Sequence, residues 1–333
     1  MSATNGNGRV QLERPEHEVA VIGAGPGGIA AGVKLKQAGI EDFVILERAA
    51  DVGGSWRDNT YPGIGVDVPA LAYQYSFARK ADWSRVFPKG AEVLAYHAEV
   101  TSRFGLESHL RFSTDVVREV WDDTHRLWRL HCADGRVVTA RFVISAVGAF
   151  INPKADPGIP GWAEFEGKLQ RPTDWDHDYD HRGKRVAVIG TGASSVQITP
   201  AIAPEVDLLE VYQRTPVWCI PKPDFVLGPL AQEALRVPGV AALLHGCALG
   251  GVELVFRLAV STPPAAAIPA MRWFDATAKR AYRRYLRAAV KDQDVREALT
   301  PAYGPLAKRP TMSNTFLSAF DRPNTHLITT AIE

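Results

Sequence analysis

This 333-residue chain has few cysteines and almost no net charge. The three cysteines, Cys132, Cys219 and Cys247, are far apart, which excludes the C-x-x-C spacing of a redox disulfide or a zinc site. The formal net charge is only +1, and a near-neutral chain gives no support for a nucleic-acid partner. We therefore expect neither a metal site nor a nucleic-acid interface.

A long uninterrupted apolar run and an N-terminal signal peptide are also missing. Residues 240–260 are numerous enough to span a bilayer, but Gly250–Gly251 interrupts them, and Glu253 and Arg257 would be costly in lipid. We predict packed helices there and no integral membrane segment, with contact to a membrane surface as the alternative. Few cysteines and no signal peptide favour a cytoplasmic protein.

A glycine-rich turn follows the first apolar run, in EVAVIGAGPGGIA at residues 18–30. Gly23 allows a tight turn from strand to helix, Gly25 lets the backbone approach a pyrophosphate, and Gly28 lets the helix pack on the strand. A second apolar run ends at Glu47, an acid about 20 residues further on that is placed to bind a ribose hydroxyl. The pattern predicts a dinucleotide site, with a glycine-rich packing turn as the alternative.

A second dinucleotide pattern, KRVAVIGTGASSVQI, begins at Lys184. Gly190 and Gly192 match the first two glycines, and Ser195 holds the third position, where a small residue still allows close helix packing. The next strand candidate is followed by Arg214 instead of an acid. The planar fork of arginine donors would bind a 2′-phosphate that an acid would repel. This site should therefore prefer NADP to NAD, unless Arg214 is merely a surface residue.

Between the two patterns the sequence contains further helix and strand signals. Helical spacing covers residues 90–104, and three strand candidates follow at Val116–Trp121, Leu127–Cys132 and Arg136–Phe142. Asp134–Gly135 between the last two is typical of a hairpin turn. Residues 142–147 suggest a buried strand.

These elements predict an α/β chain with two Rossmann-like dinucleotide-binding domains, for FAD and NADP, and a helical insertion. An acid after one pattern and an arginine after the other indicate FAD first and NADPH second. The predicted parts are a flexible tail at 1–16, an FAD-binding domain at 17–152 rejoined by 310–333, a linker at 153–183, and an NADP-binding domain at 184–309 with the insertion at about 222–290.

Several longer motifs point to one family. Residues 53–67 place Gly54, Trp56 and Asp67 in the spacing G-G-x-W-x4-[FY]-P-G-x3-D. Downstream, GTGASSVQ is followed by VYQRTPVW, and KDQDVREALTPAYGPLAKR by RPNTHLITTAI. With these motifs the chain resembles the class B flavin-dependent monooxygenases, most closely the Baeyer–Villiger monooxygenases, over nearly its whole length.

The resemblance implies FAD and NADPH as cofactors and O2 with a small ketone, amine or sulfide as substrates. One oxygen atom would enter a ketone, giving an ester or lactone, or be added to nitrogen or sulfur. By position, Arg309 corresponds to the arginine that stabilises the anionic oxygenated flavin, and Asp67 to the acid that holds this arginine. Gly54 and Trp56 would belong to the flavin site. Lys308, together with Arg214, would bind the 2′-phosphate, with a surface basic pair at 308–309 as the alternative.

The family fingerprint F-x-G-x-x-x-H-x-x-x-W-[PD] is only partly present. Phe165, Gly167, Trp175 and Asp176 fit it, but Arg171 occupies the histidine position. Arginine is bulkier and does not titrate near neutral pH. The change therefore bears more on full Baeyer–Villiger activity than on the fold.

Family members continue beyond the point that corresponds to Glu333, so we expect a fragment or truncated gene product. The alternative function is accordingly a nucleotide-binding fragment or pseudoenzyme without oxygenase activity. A pyridine nucleotide–disulfide reductase would share the two-site layout but needs a cysteine pair.

Overall fold

The computed structural model describes residues 12–150, 152, 157–305 and 307–332. The chain divides into two compact units. The first contains the described residues of 1–60 and 91–153, and the second those of 61–90 and 154–333. Both units are α/β, with parallel strands next to helices, as the sequence predicts.

The first unit is built on one sheet in the strand order β3-β2-β1-β6-β5-β4. Strand β1 pairs in parallel with β2 and β6, whereas β4, β5 and β6 are joined by antiparallel pairing. Its elements are β1 (His17–Ile22), α1 (Pro26–Gln37), β2 (Phe43–Leu46), α2 (Ser55–Asp58), α3 (Gly90–Arg103), β3 (Leu110–Arg111), β4 (Val116–Asp122), β5 (Leu127–Cys132) and β6 (Val137–Ser145).

Continuous apolar runs in β1 and β2 explain this core, because both faces of these strands are buried. Successive strand residues face opposite sides of a sheet, and Ala20, Ile22, Val44 and Leu46 share one buried cluster. The predicted hairpin turn is confirmed, because the Gly135 backbone N–H donates to Cys132 O at 3.0 Å. The two strands predicted around residue 142 form one strand, β6. The prediction of a buried strand at residues 142–147 is wrong, because Phe142, Ile144 and Val147 are exposed.

The second unit contains the other parallel sheet, in the order β11-β8-β7, and a small parallel pair, β9 and β10. Its core packs residues of α4 and the last turns of α7 with β8, including Ile202, Leu209 and Leu286, each at most 2% exposed. Its elements are β7 (Arg185–Ile189), α4 (Ala193–Ile202), β8 (Leu208–Tyr212), β9 (Cys219–Ile220), α5 (Pro229–Arg236), α6 (Val240–Ser261), α7 (Pro264–Ala289), α8 (Gln293–Ala298), β10 (Thr311–Met312), α9 (Phe316–Ala319) and β11 (Thr325–Ile328).

Two segments group differently from the expected domain boundaries. Residues 61–90 and the described part of 310–333 were both assigned by sequence to the FAD-binding domain, and both lie in the second unit. The last strand, β11, pairs in parallel with β8 over its whole length. The side-chain amide of Asn324, just before β11, donates to Ala203 O and Val206 O at 2.9 and 2.7 Å, which fixes this register.

The helical insertion consists of α5, α6 and α7, in agreement with the sequence. In the described ranges no single helix is long and apolar enough to cross a membrane. Residues 229–236 and 240–255, which meet at 90°, reach that length and composition only as a bent pair.

Candidate functional site

The first glycine turn joins β1 to α1 by a close backbone contact. Gly23 has φ +99°, a region that side chains rarely adopt. A Cβ on Gly28 would lie 1.8 Å from the Gly23 carbonyl oxygen, so helix and turn can meet only because this residue is glycine. Gly25 is the N-cap of α1, and no side chain caps this helix. The first-turn N–H groups of α1 are therefore left for an anion.

The second half of this cradle is the turn at Gly53–Gly54. Gly54 has φ +53°, and a Cβ there would lie 2.9 Å from the Gly25 Cα. Two backbone turns thus lie against each other next to the start of α1. Trp56 follows in α2, partly buried.

Glu47 is buried at the end of β2, with 4% of its surface exposed. Its Oε2 accepts from the Ala24 N–H at 2.7 Å, inside the first glycine turn, and its Oε1 accepts from the Ala49 N–H at 2.9 Å. The Arg57 guanidinium lies 3.3 Å from Oε1. The carboxylate is thus held at the turn, and Oε2 keeps a lone pair for a further donor.

The second glycine turn has the same backbone shape. Gly190 has φ +98°, and Gly192 is the N-cap of α4, a helix that again has no side-chain cap. Ser195 is buried, 6% exposed. No atom lies within 4 Å of a Cβ built on Gly190 or Gly192 among the described residues. Space therefore remains in front of this turn.

Arg214 lies beside this turn, and Lys308 lies near the segment that follows Arg214. The Thr191 hydroxyl donates to Thr215 O at 3.2 Å, which holds the residue after Arg214 beside the glycines. The ammonium of Lys308 lies 4.8 Å from the centre of the Tyr303 ring, and the Tyr303 hydroxyl donates to Pro216 O at 2.9 Å. Both cations are exposed.

Asp67 and Arg309, which are 242 residues apart, form an ion pair in the second unit. The Nη2 of Arg309 lies 2.7 Å from both carboxylate oxygens of Asp67. The arginine side chain is 72% exposed and the aspartate 27%. Such an exposed pair adds little stability. Its clearest effect is to orient the guanidinium.

Two further residues, which sequence reasoning did not single out, hold the Asp67 segment in place. Gln197 of α4 accepts from the Gly65 N–H at 3.2 Å and donates to Gly65 O at 3.0 Å. The ammonium of Lys222 donates to Val66 O at 2.7 Å, and burial lowers its pKa. Gly63 fits under α4, because a Cβ there would lie 2.4 Å from Gln197 O.

The β9–β10 pair brings Arg309 to the same place. Lys222 follows β9, and Arg309 comes just before β10. The Lys222 backbone N–H donates to the Asn314 side chain at 2.8 Å, and the Asn314 amide donates back to Lys222 O at 2.7 Å. The backbone around Lys222 is therefore tied to the segment after Arg309, and its side chain to the segment of Asp67.

The partial fingerprint lies at residues 165–176 in the second unit. Arg171 and Asp174 form an isolated antiparallel bridge, and Asp176 pairs with Lys168. Trp175 packs against the core of this unit.

The two glycine turns lie in the part of the chain that matches a known protein family. The profile of the pyridine nucleotide-disulphide oxidoreductase family matches residues 20–237, more than half of the chain. The chain belongs to this family. Cys132, Cys219 and Cys247 are free thiols, and the first two are buried.

Within the family the chain is homologous to Baeyer–Villiger monooxygenases, which confirms the resemblance. It is 42% identical to one from Streptomyces coelicolor over 320 residues, 95% of this chain and 59% of the relative. It is 37% identical to one from Pseudomonas aeruginosa over 331 residues, 95% and 58% of the two chains. The chain thus spans somewhat less than two thirds of the curated relatives that it matches.

Solved structures give the same family. The crystal structure of OTEMO in complex with FAD and NADP matches with a TM-score of 0.82 at 28% identity, over 95% of this chain and 66% of that one. A steroid monooxygenase bound to NADP matches with a TM-score of 0.77 at 28% identity, over 94% and 65%. The Rossmann-like interpretation of the two glycine turns is confirmed.

Proposed function

We propose that the chain acts as an NADPH- and FAD-dependent monooxygenase that inserts one oxygen atom of O2 into a ketone, giving an ester or lactone. Oxygen transfer to an amine nitrogen or a sulfide sulfur is the other outcome of the same chemistry. The Asp67–Arg309 pair carries the proposal, because it holds an exposed guanidinium in one orientation within the unit of the second glycine turn. The two Baeyer–Villiger monooxygenases among its relatives support it.

The residues of the first unit fit FAD. The uncapped start of α1 and the glycine cradle of Gly25 and Gly54 leave room and N–H donors for a pyrophosphate. The carboxylate of Glu47 lies at the same turn, where an acid binds the ribose of a dinucleotide. A side chain at either glycine would fill the cradle.

The residues of the second unit fit NADPH. Gly192 and the uncapped start of α4 correspond to the pyrophosphate position. Arg214 and Lys308 would take the 2′-phosphate, and no acid follows β8 to repel it. This second site would therefore bind NADPH in preference to NADH.

When bound, FAD supplies electron transfer from NADPH and the activation of O2. Arg309 supplies a fixed positive charge where negative charge develops during oxygen transfer, and such preorganised charges are a major source of catalysis. Asp67 orients this guanidinium. Gln197 and Lys222 orient Asp67 through the backbone at residues 65 and 66.

The test is anaerobic flavin reduction and aerobic product formation, measured on the same variants. The purified chain is first titrated with NADPH without oxygen, and then assayed for ester, lactone, N-oxide or sulfoxide from a substrate panel. Arg309→Ala should reduce oxygenation by about 10²–10³-fold, the usual cost of removing a charge-stabilising donor. Flavin reduction should remain.

Arg309→Lys is the matched control, because it keeps the charge but loses the planar fork that Asp67 binds. It should retain part of the activity. Full oxygenation by Arg309→Ala would overturn the assigned role. A flavin-loaded chain that reduces but gives no oxygenated product from any ketone, amine or sulfide would overturn the proposed function.

A further inference from the structure

A cleft lies between α7, α8 and the segment after α8. Its volume is about 700 Å³, within the range of small-ligand sites. Leu286 and Pro301 contribute its apolar surface. Four cationic side chains and one carboxylate line it: Lys279, Arg283, Arg287, Arg296 and Glu297.

Three of the cations form one row along α7. Lys279, Arg283 and Arg287 are spaced by four residues, so they lie on one face of the helix. Like charges at this spacing destabilise a helix slightly. Arg283 and Arg287 are exposed and have no ion pair with any residue that the structure describes. Their charges are therefore left for a partner outside the described chain.

The ends of the cleft are fixed by other contacts. The ammonium of Lys279 lies 2.9 Å from an oxygen of Asp275 and donates to Ala302 O at 3.2 Å. The Nη1 of Arg296 donates to Val290 O at 3.0 Å and to Lys291 O at 2.6 Å. Lys279 and Arg296 are thus held by contacts within the chain. Arg283 and Arg287 remain the two guanidinium groups of the cleft that are available to a ligand.

We propose that this cleft binds an oligophosphate, with Arg283 and Arg287 each contacting a phosphate group. Guanidinium forks bind phosphate oxygens in pairs, and two forks one helical turn apart suit two linked phosphates better than one. The described lining contains no aromatic ring on which a base could stack. The phosphate chain itself is therefore the recognised part. Arg214 and Lys308 do not line the cleft.

The test is calorimetric titration of the full chain with inorganic pyrophosphate at fixed ionic strength. The variant Arg283→Gln/Arg287→Gln removes both forks. Its matched control is Arg280→Gln/Arg284→Gln, which removes two exposed arginines at the same spacing from the same helix but outside the cleft lining. We expect the first variant to bind pyrophosphate at least about tenfold more weakly, since hydrogen bonds to charged groups contribute more than 1 kcal/mol each.

The control variant should bind pyrophosphate within about twofold of the unmodified chain, as screened charges outside a site do. Equal weakening by both variants would mean non-specific attraction and would overturn the site, as would no weakening by either. Loss of pyrophosphate binding in Arg214→Gln would also overturn it, by moving the binding to the NADPH site. ATP and pyrophosphate are compared on the same variants. If only vesicles with anionic phospholipid bind, and no soluble oligophosphate does, the proposal is wrong.

Discussion

Gly28→Ala should unfold the first unit locally, although alanine is the better helix former. The added Cβ would lie 1.8 Å from the Gly23 carbonyl oxygen and 2.9 Å from its carbonyl carbon. Both contacts are with backbone, so no side-chain rotation relieves them. Helix α1 would have to move away from β1 by more than 1 Å. That movement would disturb Ile29 and Val33, which are buried against the sheet.

Overpacking of this kind costs about 1–3 kcal/mol when side chains can adjust, and more when only the backbone can move. We therefore expect a loss of at least about 3 kcal/mol in the stability of this unit. The adjacent residue is the control. A Cβ on Gly27 would meet only the Ala146 Cβ at 3.6 Å, an ordinary contact. Gly27→Ala should stabilise the helix by about 0.5–1 kcal/mol.

The assay is hydrogen exchange of peptides from β1 and β6 as a function of urea, which reports the stability of this unit alone. The two variants should differ by at least about 3.5 kcal/mol, with opposite signs relative to the unmodified chain. Equal protection in both variants would refute the argument that helix and turn touch at Gly28.

Three further outcomes follow from burial and hydrogen bonding. Ellman's reagent should react rapidly with one thiol in the native chain, because Cys247 is exposed and the two other cysteines are buried; two or three fast thiols would contradict this packing. Burial lowers the pKa of His97 from 6.5 to about 4. Between pH 6.5 and about 4, His97 is therefore protonated in the unfolded chain and neutral in the folded chain. The free energy of unfolding should fall as the pH drops through this range. His97→Gln should flatten this slope in pH-dependent urea unfolding, and an unchanged slope would assign the titration elsewhere. Lys222→Met should raise amide exchange of residues 61–67 by about tenfold, since a hydrogen bond of about 1.4 kcal/mol is lost. Lys222→Arg should restore most of the protection. Unchanged exchange in Lys222→Met would show that the hydrogen bond from Lys222 to Val66 O is not needed to hold this segment.

The two glycine turns could be predicted from sequence because their geometry is local. Gly23 and Gly190 both need positive φ in a stretch of a few residues, and an apolar run followed by this spacing leaves few other conformations. The hairpin at Asp134–Gly135 was predictable for the same reason. Helix α3 also begins at Gly90, as its spacing predicts.

The grouping of distant segments could not be predicted in this way. The apolar pattern at residues 325–330 indicates a strand, but not that its neighbour is β8. That choice depends on Asn324 and two carbonyl groups on a loop far away in sequence. The roles of Gln197 and Lys222 could not be predicted because their partners are backbone atoms of Gly65 and Val66. A backbone partner does not depend on residue type, so no sequence pattern indicates it.

The packing of the two turns also determines which glycines are needed for folding and which are needed only for binding a ligand. Gly28 is required by its own chain, so a descendant that had lost its cofactor would still have to keep it in order to fold. Gly192 has φ −73° and an open space around its missing Cβ. Selection on folding alone would let this position drift to alanine or serine. Its retention among descendants would therefore be a record of ligand use, while retention of Gly28 would record only the fold.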